Sequence, residues 1–116
     1  MEKRIVIYQK ASEVPSRIKL QRMSNSERKK LHRRTYLFTV KIEDEKVVGN
    51  FKVASCSPTD QFSRKEGLRI ASEKSENLPF TCEIEQLRGL MTTFVHYFES
   101  GKGTSLTGLA NSVLNQ

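Results

Sequence analysis

Two stretches of the 116-residue chain carry side chains suited to holding an anion. The first is Ser63-Arg64-Lys65-Glu66-Gly67. Ser63 and Glu66 stand at capping-box spacing, so a helix that starts after Ser63 has Arg64 and Lys65 in its first turn. Asp60 is the alternative cap, one turn earlier. The first turn is the unfavourable end for a cation, because a helix N-terminus already carries roughly half a positive charge. An anion between the backbone amides and the two side chains reverses the sign, since N–H groups, an Arg fork and a Lys point charge together make a phosphate site. Phe62, one residue upstream, is placed either to stack on a base or to pack in the core. Without a ligand, Glu66 offsets the two cations. The second stretch is Arg28-Lys29-Lys30-Leu31-His32-Arg33-Arg34. It suits a nucleic-acid backbone, or the mouth of a pocket shared between subunits. So dense a run repels itself and is expected to order only against a ligand.

No reacting group stands out beside these. His32 and His96 are far apart, and neither has an Asp, Glu or Cys at metal-ligand spacing. The P-loop, GxSxG, HExxH and GxGxxG patterns are missing from the sequence. Gly101-Lys102-Gly103-Thr104 lacks the first glycine and the preceding strand of a phosphate loop, and reads as a helix stop. Cys56 and Cys82 are too few for a disulfide scaffold or a zinc cage. Cys56 ends a strand at a turn, where the thiol is either exposed or a small buried apolar group. Binding is therefore expected rather than catalysis, with no metal and no cofactor.

Charge and composition narrow the partner. The chain has 20 Lys and Arg against 13 Asp and Glu, a net charge of +7. Residues 1–35 hold 11 basic and 3 acidic residues, the remainder 9 and 10, so the whole excess lies in the first third. A local patch points to an anionic partner, solubility being the plainer alternative. Nothing approaches 18 consecutive apolar residues, so no membrane helix is expected. The segment after Met1 turns polar too early for a signal peptide. A reducing cytoplasm is the expected compartment. The length suits a single domain over residues 1–116. With 36% hydrophobic residues, nine Phe and Tyr and no Trp, a monomer would be marginal, so oligomerisation is expected.

The elements that must position these residues follow from periodicity. Residues 4–9 are rich in β-branched side chains and predict a strand, residues 11–16 a loop. Ile18 and Leu20 alternate with Lys19 and Gln21 and suggest a second short strand. Ser26 is placed to cap one helical turn over residues 27–33. Residues 35–56 predict a hairpin, with Tyr36, Phe38, Val40 and Ile42 on one face, a turn at Asp44-Glu45 and Gly49 as a candidate bulge. A helix from Ser63 to near Lys74 would bury Leu68, Ile70 and Ala71. Gly67 costs it about 1 kcal/mol relative to Ala and hints at a close backbone approach. Residues 78–84 predict a strand with Pro79 at its start or on an edge. Leu87, Leu90, Met91, Phe94, Val95 and Phe98 form an apolar stripe on a helix over residues 85–99. Leu106, Leu109, Ala110, Val113 and Leu114 repeat that spacing behind a Thr104 or Ser105 cap. The order predicts an α+β fold, an antiparallel sheet with one short and two C-terminal amphipathic helices packed on one face.

Val48-Gly49, the run Ala54-Ser55-Cys56-Ser57-Pro58-Thr59-Asp60-Gln61-Phe62-Ser63-Arg64-Lys65-Glu66-Gly67, and Ile70-Ala71 resemble a pattern in small phage and prophage proteins. Among these the chain is most similar to the Thoeris anti-defence sponges of the first type, over about a quarter of its length. The family's pattern has a basic residue directly after the glycine, where this chain has Leu68 followed by Arg69. The resemblance implies a protein that sequesters a cyclic ADP-ribose isomer made by bacterial TIR-domain defence proteins, without cleaving it. It also implies cyclic oligonucleotides at a separate site in some members, and a homo-oligomer, from a dimer up to a hexamer, with pockets at subunit interfaces. By matching motif, Asp60, Phe62, Ser63, Arg64 and Lys65 would lie near the ligand, with Arg69 counted beside them. Charge alone adds Arg28, Arg33 and Arg34. The host cytoplasm is the implied setting. Two rival readings use the same charge. One is a small nucleic-acid-binding phage regulator, and the other an inhibitor of an acidic host nuclease or defence complex.

Overall fold

Alternation of apolar residues and a two-residue turn dictate the centre of the molecule. In the computed structural model, which describes residues 2–9, 16–24, 27, 33–56, 63–100 and 105–114, four strands form one antiparallel sheet. They are β1 (Glu2–Tyr8), β2 (Arg33–Glu43), β3 (Lys46–Cys56) and β4 (Leu78–Glu83), in that spatial order. Asp44 and Glu45 join β2 to β3 with φ of 50° and 67°. Positive φ at both residues is the turn whose twist matches the strands it joins. Pro79 sits on the edge strand β4, where its missing N–H takes no bond from a ladder.

Helices cover both faces of this sheet, which corrects the expected single covered face. On one face, Tyr36, Phe38 and Val40 of β2 join Val47 and Phe51 of β3 and Phe80 of β4 beneath α3 (Leu87–Glu99) and α4 (Leu106–Leu109). A short 3-10 turn, Ile84–Gln86, leads into α3, and a π-helical turn, Ala110–Leu114, continues α4. Phe94, Tyr97 and Phe98 deliver the stripe of α3 into this core. On the other face, Leu37, Ala54 and Ala71 form a smaller cluster beneath α2 (Arg64–Glu73), with Val6 and Leu68 against it. Ala71 is fully buried and lets the helix backbone approach the sheet, whereas Ile70, expected inside, is 38% exposed. Ile70 lies at the flank of this contact, because so small a contact has room for only one row of side chains. The far end of α2 is tied down by Arg4, which donates to Ser72 Oγ at 2.8 Å, and by Lys52, which donates to the Ser72 carbonyl at 3.4 Å. Two cations at the carboxyl end suit the helix dipole.

Two local expectations fail for identifiable reasons. Residues 17–22 form a helix, α1 (Arg17–Arg22), not a strand. Its Arg, Lys, Leu and Gln are good helix formers, and the Ser16 hydroxyl accepts from the Lys19 amide at 3.4 Å as a cap. Four alternating residues fit one helical turn as well as a strand, and Ile18 remains 64% exposed. Gly49 makes no bulge, since the β2–β3 register runs unbroken through Val40–Gly49. It is required for space: a Cβ there would lie 2.6 Å from Phe80 Cζ and 2.9 Å from the Thr39 carbonyl oxygen. Gly49→Ala is expected to destabilise the fold by about 1–3 kcal/mol, because a neighbouring strand's backbone cannot yield. Urea denaturation would show it as a lower midpoint at unchanged slope. Among the described residues, no helix is long and apolar enough to cross a membrane. The Ser26-capped turn, the residues 11–15, 57–62 and 101–104, and His32 lie outside the described residues.

Candidate anion site at the head of α2

Strand alternation sends the two arginines at the start of β2 in opposite directions. Arg33 and Thr35 share the face that carries Leu37, under α2; Arg34 shares the face of Tyr36 and Phe38, under α3. The register then places Arg33 opposite Cys56, and Thr35 between Tyr8 of β1 and Ala54 of β3. Above them lies the first part of α2. The Ser63 hydroxyl accepts from the Glu66 amide at 3.4 Å, and the Gly67 amide donates to the Ser63 carbonyl at 2.9 Å. Ser63 is therefore the N-cap expected from its spacing.

Between helix and sheet remains a cavity of about 50 Å³, walled by Arg33, Thr35, Ala54, Ser55 and Cys56 from below and by Ser63, Glu66, Gly67 and Ile70 from above. Gly67 contributes bare backbone to this wall and borders open space. The two stretches singled out for anion binding, residues 28–34 and 63–67, thus meet at one place through Arg33 and Ser63. Their lining carries donors: a half-buried guanidinium and the hydroxyls of Thr35 and Ser63, Ser55 sharing the opposite face with Arg34 and adding backbone. Thr35 is 1% exposed and its Oγ1 is buried with no hydrogen-bond partner among the described residues.

Among the described residues one acid, Glu66, lines the cavity, and its carboxylate is engaged elsewhere. Arg69 donates to it through Nε at 3.0 Å and through Nη2 in a second short contact, and reaches Glu73 at 2.8 Å through Nη1. Only half of the expected capping box therefore forms. The hydrogen bonds from Arg69 hold the Glu66 carboxyl below the usual carboxylate range and raise the Arg69 guanidinium. Arg69, expected as a ligand contact, is not in the cavity wall and acts on the site through Glu66. Arg69→Ala is expected to weaken anion binding roughly two- to five-fold by leaving a bare carboxylate at the wall, with the melting temperature unchanged. Adding Glu66→Gln should restore the affinity, which titration calorimetry on the single and double variants can check.

The remaining expected residues divide as follows. Arg64 is exposed and holds its guanidinium 5.1 Å over the centre of the Tyr8 ring, next to Thr35 in the strand pairing. A cation–π contact of this kind explains how a cation is tolerated at the wrong end of a helix. Lys65 is exposed on the same turn. Arg34 is fully buried on the opposite face. Its Nη1 donates to Gln9 Oε1 at 3.2 Å, the Tyr36 hydroxyl donates to the same oxygen at 3.2 Å, and the Gln9 amide donates to the Arg34 carbonyl at 2.9 Å. Burial lowers the Arg34 guanidinium, with Tyr36 and Glu99 opposing the shift, and raises the Tyr36 hydroxyl. Asp60, Phe62 and Arg28 lie outside the described residues.

Cys82 is buried in the main core and its thiol is pushed up by burial, while Cys56 is half-buried at the cavity. His96 is on the exposed side of α3, as its place outside the apolar stripe predicts. Among the described residues no group of three His, Cys, Asp or Glu side chains is placed to hold a metal ion. Thr35 and Tyr8 were not singled out from the sequence. Thr35 lies on a strand face that the hairpin's parity defines and Tyr8 pairs with it from β1, but only the docking of α2 closes the cavity over Thr35 and sets Arg64 over Tyr8.

The chain matches no family model, no curated protein and no solved structure.

Proposed function

We propose that the protein captures a small phosphate-bearing nucleotide and holds it without altering it. The observation that carries this reading is the meeting of Arg33 and the Ser63 cap at one cavity lined by hydroxyl and guanidinium donors, with Glu66, the one acid among its described lining residues, engaged by Arg69. At about 50 Å³ the cavity takes a single compact group such as a phosphoryl, whereas a pocket enclosing a whole small ligand has roughly 300 Å³ or more. The nucleoside then lies outside, against the surface around Arg64 and Tyr8. Seven of the nine aromatic side chains belong to the main core cluster, and the two others are Tyr8, under Arg64, and Phe62, next to Ser63 in sequence. Both suit a stacked base.

Within that class, a cyclic ADP-ribose isomer is the favoured ligand, with cyclic oligonucleotides next, in line with the resemblance of residues 54–67 to the sponges. A shallow site of this size gains affinity if a second copy of the chain closes over the exposed part of the ligand, so a homo-oligomer belongs to the proposal. The setting would be the cytoplasm of a phage-infected bacterium, where removal of the signal keeps a defence effector off. Sequestration at micromolar to nanomolar levels requires about −8 to −12 kcal/mol. A long polyanion is less well served, because Arg34 is buried under α3 and offers its charge to no surface.

The test is retention. The protein is incubated with cyclic ADP-ribose isomers, cyclic oligonucleotides and ADP-ribose, freed of unbound ligand by filtration and heat-denatured. Recovery of one of these unchanged is expected. Recovery of a hydrolysis product would make the protein an enzyme, and retention of duplex DNA alone, falling steeply with salt, would favour the regulator.

A further inference from the structure

We propose that the Thr35 hydroxyl is a ligand contact, donating to an oxygen of a tetrahedral oxyanion of the phosphate class seated in the cavity between β2, β3 and α2. The inference deepens the nucleotide-capture reading and rests on it. Its ground is the state of Thr35 itself. The side chain is on the α2 face of β2, forms part of the cavity wall and is 1% exposed, yet Oγ1 has no hydrogen-bond partner among the described residues. Buried hydroxyls in folded proteins nearly always have a partner, and one left without carries its full desolvation cost. Valine has the same shape and would fill the position without that cost, so a threonine is worth keeping there for what it can donate to.

The surroundings state what that acceptor is. Arg33 stands two residues away on the same face of β2, and the Ser63 hydroxyl faces the same space from the helix cap. The helix itself adds its positive end, its Arg64 and Lys65 amides having no intrahelical acceptor. Glu66, which would repel an anion, is held by Arg69. An oxyanion with several acceptor oxygens satisfies this set, and an amide or a sugar hydroxyl, which each bring fewer, does not. The three observations are independent: an unpartnered buried hydroxyl, a cavity beside it, and a ten-residue helix ending over both.

The inference predicts an inverse relation between stability and binding. Thr35→Val is expected to raise the melting temperature by about 2–8 °C, since it removes an unpartnered buried group. It should weaken binding of inorganic phosphate and of ADP-ribose by about tenfold or more. Thr35→Ser, which keeps the hydroxyl, should bind within a few-fold of the parent protein. Scanning calorimetry and titration calorimetry on the full chain measure both quantities. Should Thr35→Val bind ADP-ribose as tightly as the parent, the contact is wrong while nucleotide capture stands. A lowered melting temperature in Thr35→Val would assign the hydroxyl a structural partner and overturn the inference. If the parent protein binds neither inorganic phosphate nor ADP-ribose, the contact and the capture reading fall together.

Discussion

Alanine at Arg33 is expected to weaken nucleotide binding about 10- to 150-fold at nearly unchanged stability, while alanine at Arg34 lowers the melting temperature by about 5–15 °C. The two residues are neighbours in sequence and identical in charge, so a patch that worked through charge alone would respond to both alike. Alternation along β2 separates them. Arg33 lines the cavity under α2, where a charge-assisted hydrogen bond to a phosphate oxygen is worth about 1.5–3 kcal/mol. Arg34 is sealed under α3, bonded to Gln9, whose side-chain oxygen also accepts from Tyr36. Its removal takes away the packing of its aliphatic stem and leaves polar groups at the end of the core short of a partner. Urea denaturation beside a binding titration on each variant separates the two effects. Equal loss of binding in both, at equal stability, would show that the arginines act as one surface patch.

The largest effect on stability is expected at Phe51. Phe51→Ala should cost about 3–5 kcal/mol, a large share of the roughly 5–15 kcal/mol that holds a domain of this size. Phe51 is fully buried at the middle of β3, and four aromatic rings surround it. It stacks on Phe38 with ring centres 4.7 Å apart, tilts against Phe94 at 5.2 Å and Phe98 at 6.0 Å, and stacks with Tyr36 at 6.2 Å. These rings come from β2, β3 and α3, so the cavity left by alanine opens where three elements meet and cannot be closed by one side chain moving. Phe51→Leu, which keeps most of the volume, should cost less than half as much. Chemical denaturation gives both values. Alanine and leucine costing the same would mean that the aromatic packing, not the filled volume, is what counts.

Strong local signals made most of the sheet legible. The run of Tyr36, Phe38 and Val40 against Val47 and Phe51 defines the hairpin's core face, and Asp44-Glu45 is the two-residue turn that its register requires. Ser63 and Glu66 marked the start of α2 for the same reason. The second covered face was hidden because its cluster is made largely of small residues, Ala54 and Ala71 around Leu37, which give little hydrophobic contrast. Segment α1 was misread because alternation over four residues does not separate a strand from a turn of helix.

Of the candidate site, the residue types were legible and their assembly was not. Arg33 and Ser63 are thirty positions apart, and their meeting depends on the β2–β3 register and on where α2 docks. Parity alone did contain one result: with Tyr36 and Phe38 on the core face, Arg34 must share that face and Arg33 must oppose it. Thr35 gave no signal because a threonine in a strand is ordinary; only its burial without a partner marks it.

Native mass spectrometry of the protein incubated with cyclic ADP-ribose isomers and cyclic oligonucleotides tests the central claim most directly, because it weighs the assembly and its cargo together. The predicted result is an oligomer that carries an intact phosphate-bearing nucleotide, with the nucleotide lost in Arg33→Ala while the assembly persists. A protein that binds none of these, or one whose bound nucleotide is unaffected by Arg33→Ala, would contradict it.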